Sequence, residues 1–260
     1  MDDVLHIEID ESGADGSVAL VVMNRPESRN ALNSLLLGGL RATLRSLDER
    51  EDVRAIVLTG ADPAFCAGLD LKELAAGNKI SSGADDGHPF PPDMVTPVIG
   101  AINGPAVTGG LEIALACDLL IASERGSFAD THARVGILPG WGLSVELPRA
   151  IGVRRARQMS LTGNYVHAQQ ALEWGLVNEV VPHEDLVERA LSLGRDMATV
   201  PAPASAAMKR LYWATHAVTA GDGLLVEKEV NRRWSESGGF DPERLAGARE
   251  AIQARGSTQK

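Results

Sequence analysis

A glycine pair followed by a glutamate is the stretch of this sequence best suited to chemistry. Gly109, Gly110 and Glu112 follow an apolar run at residues 98–102 and open an Ala/Leu-rich stretch. We expect a strand, a turn and a helix that begins near Gly109. The first amides of a helix have no partner within it and the dipole is positive there, so this end favours a developing negative charge. Glu112 lies one helical turn further on, which predicts a carboxylate beside free amides.

Glu112 has two interpretations. The glycines can simply let the helix pack closely on a strand, with Glu112 as a solvated first-turn residue. Against this, its neighbours Leu111, Ile113 and Ala114 are apolar, and a helix that is apolar on all sides is usually buried. A buried carboxylate is costly unless it has a partner or a task.

The composition narrows the class of protein. The chain has 260 residues, 44% of them hydrophobic, and a net charge of −10, with a pI of about 5.1. This size suits one domain, or one domain with an appendage. The acidic balance predicts no nucleic-acid partner and no binding to an anionic membrane. With no signal segment after Met1, no unbroken apolar span and only two cysteines, we expect a cytoplasmic protein. The histidines show no HxxxH or HExxH spacing, so no metal site is predicted.

Strand, turn and helix alternate along the first half, which predicts an α/β architecture. The expected strands are Leu5–Ile9, Val18–Met23, Arg54–Gly60, Val98–Ile102 and Leu119–Ala122, and the first two are expected to form a hairpin. Asn33 or Ser34 can cap a helix that runs to about Asp48. From about Val153 onward the pattern is helical. The expected helices in that part are 154–160, 168–174, 184–199, 202–215, 224–236 and 242–254. Residues 75–92 are rich in Gly, Pro, Ser and Asp and predict a mobile surface loop.

Two turns at predicted strand ends add candidate ligand contacts. Arg25 and Arg29 follow the second strand, where they can bind a phosphate or simply be surface arginines. After the third strand, Ala67 and Gly68 let a ligand approach the backbone closely, and the amide of Leu69 is a second candidate donor. An ordinary strand-to-helix turn, with Asp70 as its cap, explains the same residues.

Four motifs, taken together and in this order, resemble those of the crotonase family, also called the enoyl-CoA hydratase/isomerase family. They are Asn24 to Leu32, Ala64 to Leu71, Asn103 to Asp118, and Phe128 to Gly140, so the resemblance covers nearly the whole chain. It implies an α/β spiral of repeated ββα units, with residues 1–200 as the core that holds an acyl-CoA site. Residues 201–260 would form a helical region that makes the contacts of a homotrimer or homohexamer.

The resemblance also implies a site and a reaction. The backbone amides of Leu69 and Gly109 would hold the thioester oxygen of an acyl-CoA as an oxyanion hole. Coenzyme A, carried by the substrate, would lie along two segments, and no cofactor would be bound permanently. The residues implied in coenzyme A and substrate binding are Arg29, Ala31, Ala67, Gly68, Asp70 and Leu71. The implied reaction is hydration of a trans-2-enoyl-CoA to a 3-hydroxyacyl-CoA through an enolate.

Two positions depart from the family pattern. Hydratases of the family use two glutamates; Glu112 matches the first, but His132 stands at the second. His132 can act as the acid or base, or it can shape the pocket and bond to Asp130. If Glu112 acts alone, the protein is an isomerase or another acyl-CoA lyase or hydrolase, and a weakly active acyl-CoA-binding member is a further alternative. Trp141, where the family commonly has a small residue, would wall the acyl pocket or belong to the core.

Overall fold

The computed structural model describes residues 4–77, 80, 88–216, 218–239, 252–253 and 255. The strands are β1 (Leu5–Asp10), β2 (Ser17–Met23), β3 (Val53–Gly60), β4 (Val98–Ile102), β5 (Pro105–Val107), β6 (Leu119–Ser123), β7 (Ser127–Ala129), β8 (Val166–His167) and β9 (Glu179–Val181). The helices are α1 (Ser34–Asp48), α2 (Leu71–Ala75), α3 (Gly109–Ala116), α4 (Leu143–Ile151), α5 (Val153–Thr162), α6 (Ala168–Trp174), α7 (Leu186–Ala198), α8 (Ala202–His216) and α9 (Ala220–Glu236). Chain contacts divide the protein into two compact units, Met1–Val200 and Pro201–Lys260.

The first unit is built on a six-stranded sheet in the order β1-β2-β3-β4-β6-β9. The hairpin strands β1 and β2 are antiparallel, as the sequence predicted, and the other neighbours are parallel. Parallel strands need crossover connections and have both faces covered. The carboxyl ends of five strands therefore lie along one edge of the sheet, where the predicted motifs begin.

Alternation of side chains along each strand divides the core into two layers. On β2, Val18 and Leu20 face a cluster that is closed by Leu186 and Ala190 of α7. The intervening residues of β2 face a second and larger cluster, which contains leucines of α1 and Leu111 of α3. Burial on both faces explains why these strands read as nearly continuous apolar runs.

Short strands form a second sheet within the larger cluster. It has the order β5-β7-β8, and isolated bridges join Leu32 to Leu69 and Cys66 to Ala106 beside it. Each winding of the chain thus adds a long strand to the main sheet and a short strand or bridge to the second layer. This is the predicted α/β spiral of repeated units.

Helix α1 shows how local sequence sets an element of the spiral. The Asn33 side chain accepts a hydrogen bond from the Leu36 amide at 2.8 Å, which caps the helix. Its buried residues follow a helical period: Leu36, Leu37, Leu40, Arg41, Leu44 and Leu47. The predicted bounds, Asn33 or Ser34 to about Asp48, are confirmed.

The second unit contains α8 and α9, which pack against each other. The Thr219 hydroxyl caps α9, and Arg232 of α9 forms ion pairs with Glu229 and Glu236. Several large apolar side chains of the two helices are exposed, namely Met208, Tyr212, Trp213, Leu224 and Leu225. No described helix of either unit is long and apolar enough to cross a membrane.

Several expectations need correction. The region after Val153 is not wholly helical, because it contains β8 and β9. Strands of two or three residues carry no detectable periodicity, so β5 and β7 were also not predicted. Helix α4 was not predicted either. Most of the expected helix 242–254 and half of the loop 75–92, namely 78–79 and 81–87, lie outside the described residues. Phe90, near the end of that loop, is buried in the core.

Candidate active site

Helix α3 begins at Gly109, as predicted, and its first turn is buried. A Cβ on Gly110 would collide with the carbonyl oxygen of Cys66 and lie 2.8 Å from the Cys66 Cβ. Gly110 therefore allows close packing, as the structural interpretation of the glycine pair proposed. Gly109 differs, because a Cβ there would make only ordinary contacts, the nearest at 3.4 Å.

Glu112 is a buried carboxylate, with 3% of the residue exposed. Its Oε1 accepts a hydrogen bond from the backbone amide of Trp141 at 2.7 Å. Its Oε2 lies 3.5 Å from Nε2 of His132. The solvated interpretation of Glu112 is therefore wrong, and the carboxylate has the partners that burial requires.

His132 lies between two carboxylates. Its Nδ1 is 2.7 Å from Oδ1 of Asp130, while its Nε2 faces Glu112. The same Asp130 oxygen accepts a hydrogen bond from the His132 amide at 3.1 Å. The sequence analysis named a bond to Asp130 as one alternative for His132, and His132 begins a 3₁₀ turn, His132–Val135. The turn brings the imidazole back over Asp130.

The charges of Asp130 and Glu112 favour a protonated His132 imidazole. Burial by itself would lower the pKa of His132, but the hydrogen bonds and charges of Asp130 and Glu112 outweigh burial and raise the pKa to about 9. Burial likewise opposes ionisation of Asp130, yet the hydrogen bond from His132 holds the pKa of that carboxyl below its usual range. At neutral pH, the site therefore holds an imidazolium next to a carboxylate.

Two backbone amides near this pair are available to a ligand. Among the residues that the structure describes, no protein acceptor pairs with the amides of Leu69 and Gly109. The two donor segments touch, since a Cβ on Gly68 would lie 3.5 Å from the Gly109 nitrogen. Gly68 has a φ of +93°, which a glycine adopts without strain. The arrangement can hold one developing negative charge between two donors.

Trp141 joins the donors to the carboxylate. Its ring atom Cζ3 would lie 3.4 Å from a Cβ on Gly109, so the indole covers the first residue of α3. Its own amide holds Glu112. The ring is only partly buried and packs against the core. Trp141 thus packs against the core and also covers one side of Gly109, at the start of α3.

The two segments expected to bind coenzyme A run side by side. The Ala67 amide donates to the carbonyl of Arg29 at 3.0 Å, and the Leu32 amide donates to that of Gly68 at 2.7 Å. Ala31 lies in the first segment. Leu71, at the start of α2, is exposed. These contacts bring the candidate residues together beside the turn Ala67–Leu69, called the donor turn because it carries the Leu69 amide.

The two candidate arginines have different surroundings. Arg25 forms an ion pair with Asp70 at 3.1 Å and also donates to the carbonyl of Ala31. Asp70 caps α2 by accepting from the Lys72 amide. Arg29 is exposed, and its guanidinium has no protein partner within the described part of the chain. Of the two, only Arg29 is available for a phosphate.

Two buried asparagine side chains, those of Asn30 and Asn103, support the donor turn, and the sequence did not predict a role for either. Asn30 is fully buried, and its side chain donates to the carbonyls of Ala61 and Ala64. Asn103 donates to Asp62 at 2.8 Å. The available signal was their position in the turns that follow two predicted buried strands, with Asn103 directly after Ile102. Because both side chains are buried, they need the hydrogen bonds that they make.

Other chemistry at the site is limited by burial. The Cys66 thiol is fully buried, which raises its pKa to about 12 and makes it a poor nucleophile. Among the described residues, no group of three or more His, Cys, Asp or Glu side chains is arranged to hold a metal ion. The site is therefore one of a carboxylate, an imidazolium and backbone amides.

Known proteins share this architecture. The profile of the family described as "Enoyl-CoA hydratase/isomerase" matches residues 13–235. A protein of Arabidopsis thaliana named "Probable enoyl-CoA hydratase 1, peroxisomal" is 35% identical over 246 residues, 93% of this chain and 91% of the relative. The crystal structure of an enoyl-CoA hydratase from Mycobacterium smegmatis is 47% identical with a TM-score of 0.73, and the match covers 91% of this chain and 100% of that chain. The crystal structure of a probable enoyl-CoA hydratase/isomerase from Mycobacterium abscessus has a TM-score of 0.81 at 32% identity. That match covers 96% of this chain and 97% of the other. The chain belongs to the enoyl-CoA hydratase/isomerase family, the crotonase family.

Proposed function

We propose that this protein hydrates a trans-2-enoyl-CoA to a 3-hydroxyacyl-CoA. The observation that carries the proposal is the contact of Glu112 with His132, 3.5 Å apart. It lies next to a helix end whose first amide, that of Gly109, has no protein acceptor among the described residues. Hydration needs a base for water, an acid for carbon and donors for an enolate oxygen. The relatives that carry the name enoyl-CoA hydratase support the same reaction.

The charges divide the work between the two side chains. Glu112 is the base that takes a proton from water, and His132, with its pKa raised to about 9, is the acid. A water oxygen about 2.8 Å from both Oε2 of Glu112 and Nε2 of His132 fits their separation. The pair thus replaces the two glutamates of the family by one base and one acid that is charged in the resting enzyme at neutral pH.

The reaction balances with these groups alone. Glu112 removes a proton from the water while the water oxygen bonds to C3 of the substrate. The electrons of the C2=C3 bond move toward the thioester carbonyl. The amides of Leu69 and Gly109 stabilise the enolate oxygen, each donor contributing about 3 kcal/mol. His132 then donates its proton to C2, which restores the carbonyl. The proton on Glu112 returns to His132 across their contact.

Binding of the rest of the substrate follows from the surroundings. Coenzyme A would lie along Arg29, Ala31 and the segment Ala67–Leu71, with Arg29 as its phosphate contact. Asp70 would contribute by holding Arg25 and α2 rather than by touching the ligand. Trp141 would wall the acyl pocket and limit the chain length.

Three further properties are part of the proposal. The enzyme needs no permanently bound cofactor, because the side chains and amides above supply every proton and every donor. It forms a homotrimer or homohexamer through the unit that contains α8 and α9, and it binds neither nucleic acid nor membrane. We place it in the cytoplasm because a chain with only two cysteines suits a reducing compartment.

The test is turnover of trans-2-enoyl-CoA thioesters of increasing length, beginning with crotonyl-CoA, followed by ultraviolet absorbance and mass spectrometry. We expect a product heavier by one water, and a fall in kcat of about a hundredfold or more for Glu112→Gln and for His132→Gln. Trp141→Ala should raise kcat/KM for long chains relative to crotonyl-CoA. Glu8→Gln and His6→Gln on β1 carry the same chemical changes at exposed positions and are the matched controls.

Other outcomes would overturn the proposal. A wild-type rate equal to the buffer blank at every chain length excludes the hydratase, and tight acyl-CoA binding without turnover would then identify a binding protein. Conversion of a 3-enoyl to a 2-enoyl thioester without gain of water, lost in Glu112→Gln but kept in His132→Gln, would identify an isomerase that uses Glu112 alone.

A further inference from the structure

Two threonines directly precede the residues on which the proposed reaction depends. Thr108 comes before Gly109, and Thr131 comes before His132. Their hydroxyl oxygens are 2.5 Å apart, although one residue belongs to the turn into α3 and the other to the segment after β7. Thr108 is buried and Thr131 partly so. A short hydroxyl contact thus joins the turn that presents the amide to the turn that presents the imidazole.

Thr108 has a backbone conformation that is rare for a threonine. Its φ is 55° and its ψ is −112°, a conformation that strains a β-branched residue and suits glycine. Its amide donates to the Ala129 carbonyl at 2.9 Å, and its carbonyl accepts from the Glu112 amide at 3.0 Å. This turn leads directly into Gly109, the first residue of α3. A glycine would make the same turn with less strain, so the threonine side chain contributes its hydroxyl rather than its backbone geometry.

We propose that the Thr108–Thr131 hydroxyl pair is a positioning device that holds the Gly109 amide and the His132 imidazole at a matched separation. The inference rests on the proposed function, in which the amide meets the thioester oxygen and the imidazole meets C2. Those two atoms are separated by fixed covalent bonds, so their protein partners must keep a fixed separation too. Neither threonine touches substrate, and both act through their neighbours.

Variants that remove each hydroxyl test the pair in the full-length protein. Thr108→Gly removes the hydroxyl and relieves the strain, so we expect unfolding stability equal to or above that of the wild type. We also expect kcat to fall about ten- to a hundredfold while KM stays within about twofold. Thr131→Val keeps the shape of the partner and should lower kcat similarly. The double variant should be no slower than the slower single variant, since one contact is lost in all three.

Conservative variants separate positioning from packing. Thr108→Ser and Thr131→Ser keep the hydroxyls and should bring kcat back toward the wild-type value. Equal kcat in wild type, Thr108→Gly and Thr131→Val would overturn the proposal and leave the pair as a packing contact. Independent, additive losses in the double variant would also overturn it.

A readout without turnover keeps this proposal separate from the hydratase assignment. Nuclear magnetic resonance titration of the His132 ring nitrogens in the free protein reports the contact of His132 with Glu112, and we expect the midpoint to move to lower pH in Thr108→Gly and Thr131→Val. If the wild type turns over no enoyl-CoA, the proposed function fails while the titration still decides the coupling. Unchanged midpoints in both variants would then overturn it.

Discussion

At the scale of single residues, His132 is a cation held between two buried carboxylates. Asp130 lies on one side of the imidazole and Glu112 on the other. A buried charge is tolerated when its partners are close and well oriented, and removal of one partner leaves the others uncompensated. A glutamate at position 132 would place three carboxylates together. Asp130 and His132 therefore form one unit.

The pKa of His132 leads to a prediction for pH. The pKa is raised from 6.5 to about 9, so the imidazolium stabilises the folded state fully below pH 6.5 and this contribution is lost as pH rises through about 9. As the proposed acid, His132 also requires its proton, so kcat should be level near neutral pH and fall as pH rises through about 9. Initial rates and unfolding free energies across this range check both effects.

Asp130→Asn provides the matched comparison for the pH prediction. The amide keeps the shape of the side chain but removes the charge that raises the pKa of His132, so the alkaline fall in kcat should move to lower pH. Alkaline limbs that coincide in the wild type and in Asp130→Asn would show that another group controls them.

At the scale of elements, α3 combines a packing requirement with a chemical one in consecutive glycines. Gly110 has no room for a side chain because the Cys66 carbonyl, in the bridge to β5, lies against it. Gly109, whose Cβ position lies 3.4 Å from the Trp141 ring, supplies the candidate donor amide. The close approach of α3 to the second sheet is therefore what brings the helix end beside the donor turn that carries Leu69.

Alanine substitutions should separate tight packing from helix propensity. Gly110→Ala is expected to destabilise the protein by about 3 kcal/mol, because the backbone of Cys66 must shift. Gly38 in α1 has nothing within 4 Å of its Cβ position, so Gly38→Ala should stabilise by about 0.5–1 kcal/mol. Denaturant unfolding measures both changes. Stabilisation by both substitutions would mean that α3 does not need this close approach.

At the scale of the whole molecule, the spiral places motifs from distant parts of the chain around one site. The second unit leaves large apolar side chains exposed, Tyr212 and Leu225 among them at 70% and 67%. Exposed apolar residues in such number are typical of an interaction surface. They support the proposal that α8 and α9 make the contacts between subunits.

Acidic substitutions on that surface test the assembly. The wild type should sediment as a trimer or hexamer, and Tyr212→Glu/Leu225→Glu should shift it to monomer because charges are costly in a buried interface. Ile7→Glu, an exposed apolar-to-acidic change on β1, should keep the wild-type mass. A monomeric wild type, or an assembled double variant, would contradict the assignment of this surface.

The sequence by itself determined the features that depend on local spacing. It predicted α1, the strands β1 to β4 and the start of α3 at Gly109. It also indicated Glu112 and His132 as the candidate acid and base residues. Apolar periodicity, caps and glycine turns act within a few residues, so they can be read along the chain. The short strands gave no such signal.

Only the tertiary structure decided which of these residues meet. The Trp141 amide reaches Glu112 across 29 residues of chain, Asp70 holds Arg25 across 45, and Thr108 meets Thr131 across 23. Such contacts depend on how successive windings of the spiral stack, since each winding brings a different strand end to the same edge. The raised pKa of His132 follows from that stacking, and so does the lack of a partner for the Arg29 guanidinium among the described residues. Charge and burial are properties of neighbours in space rather than in sequence.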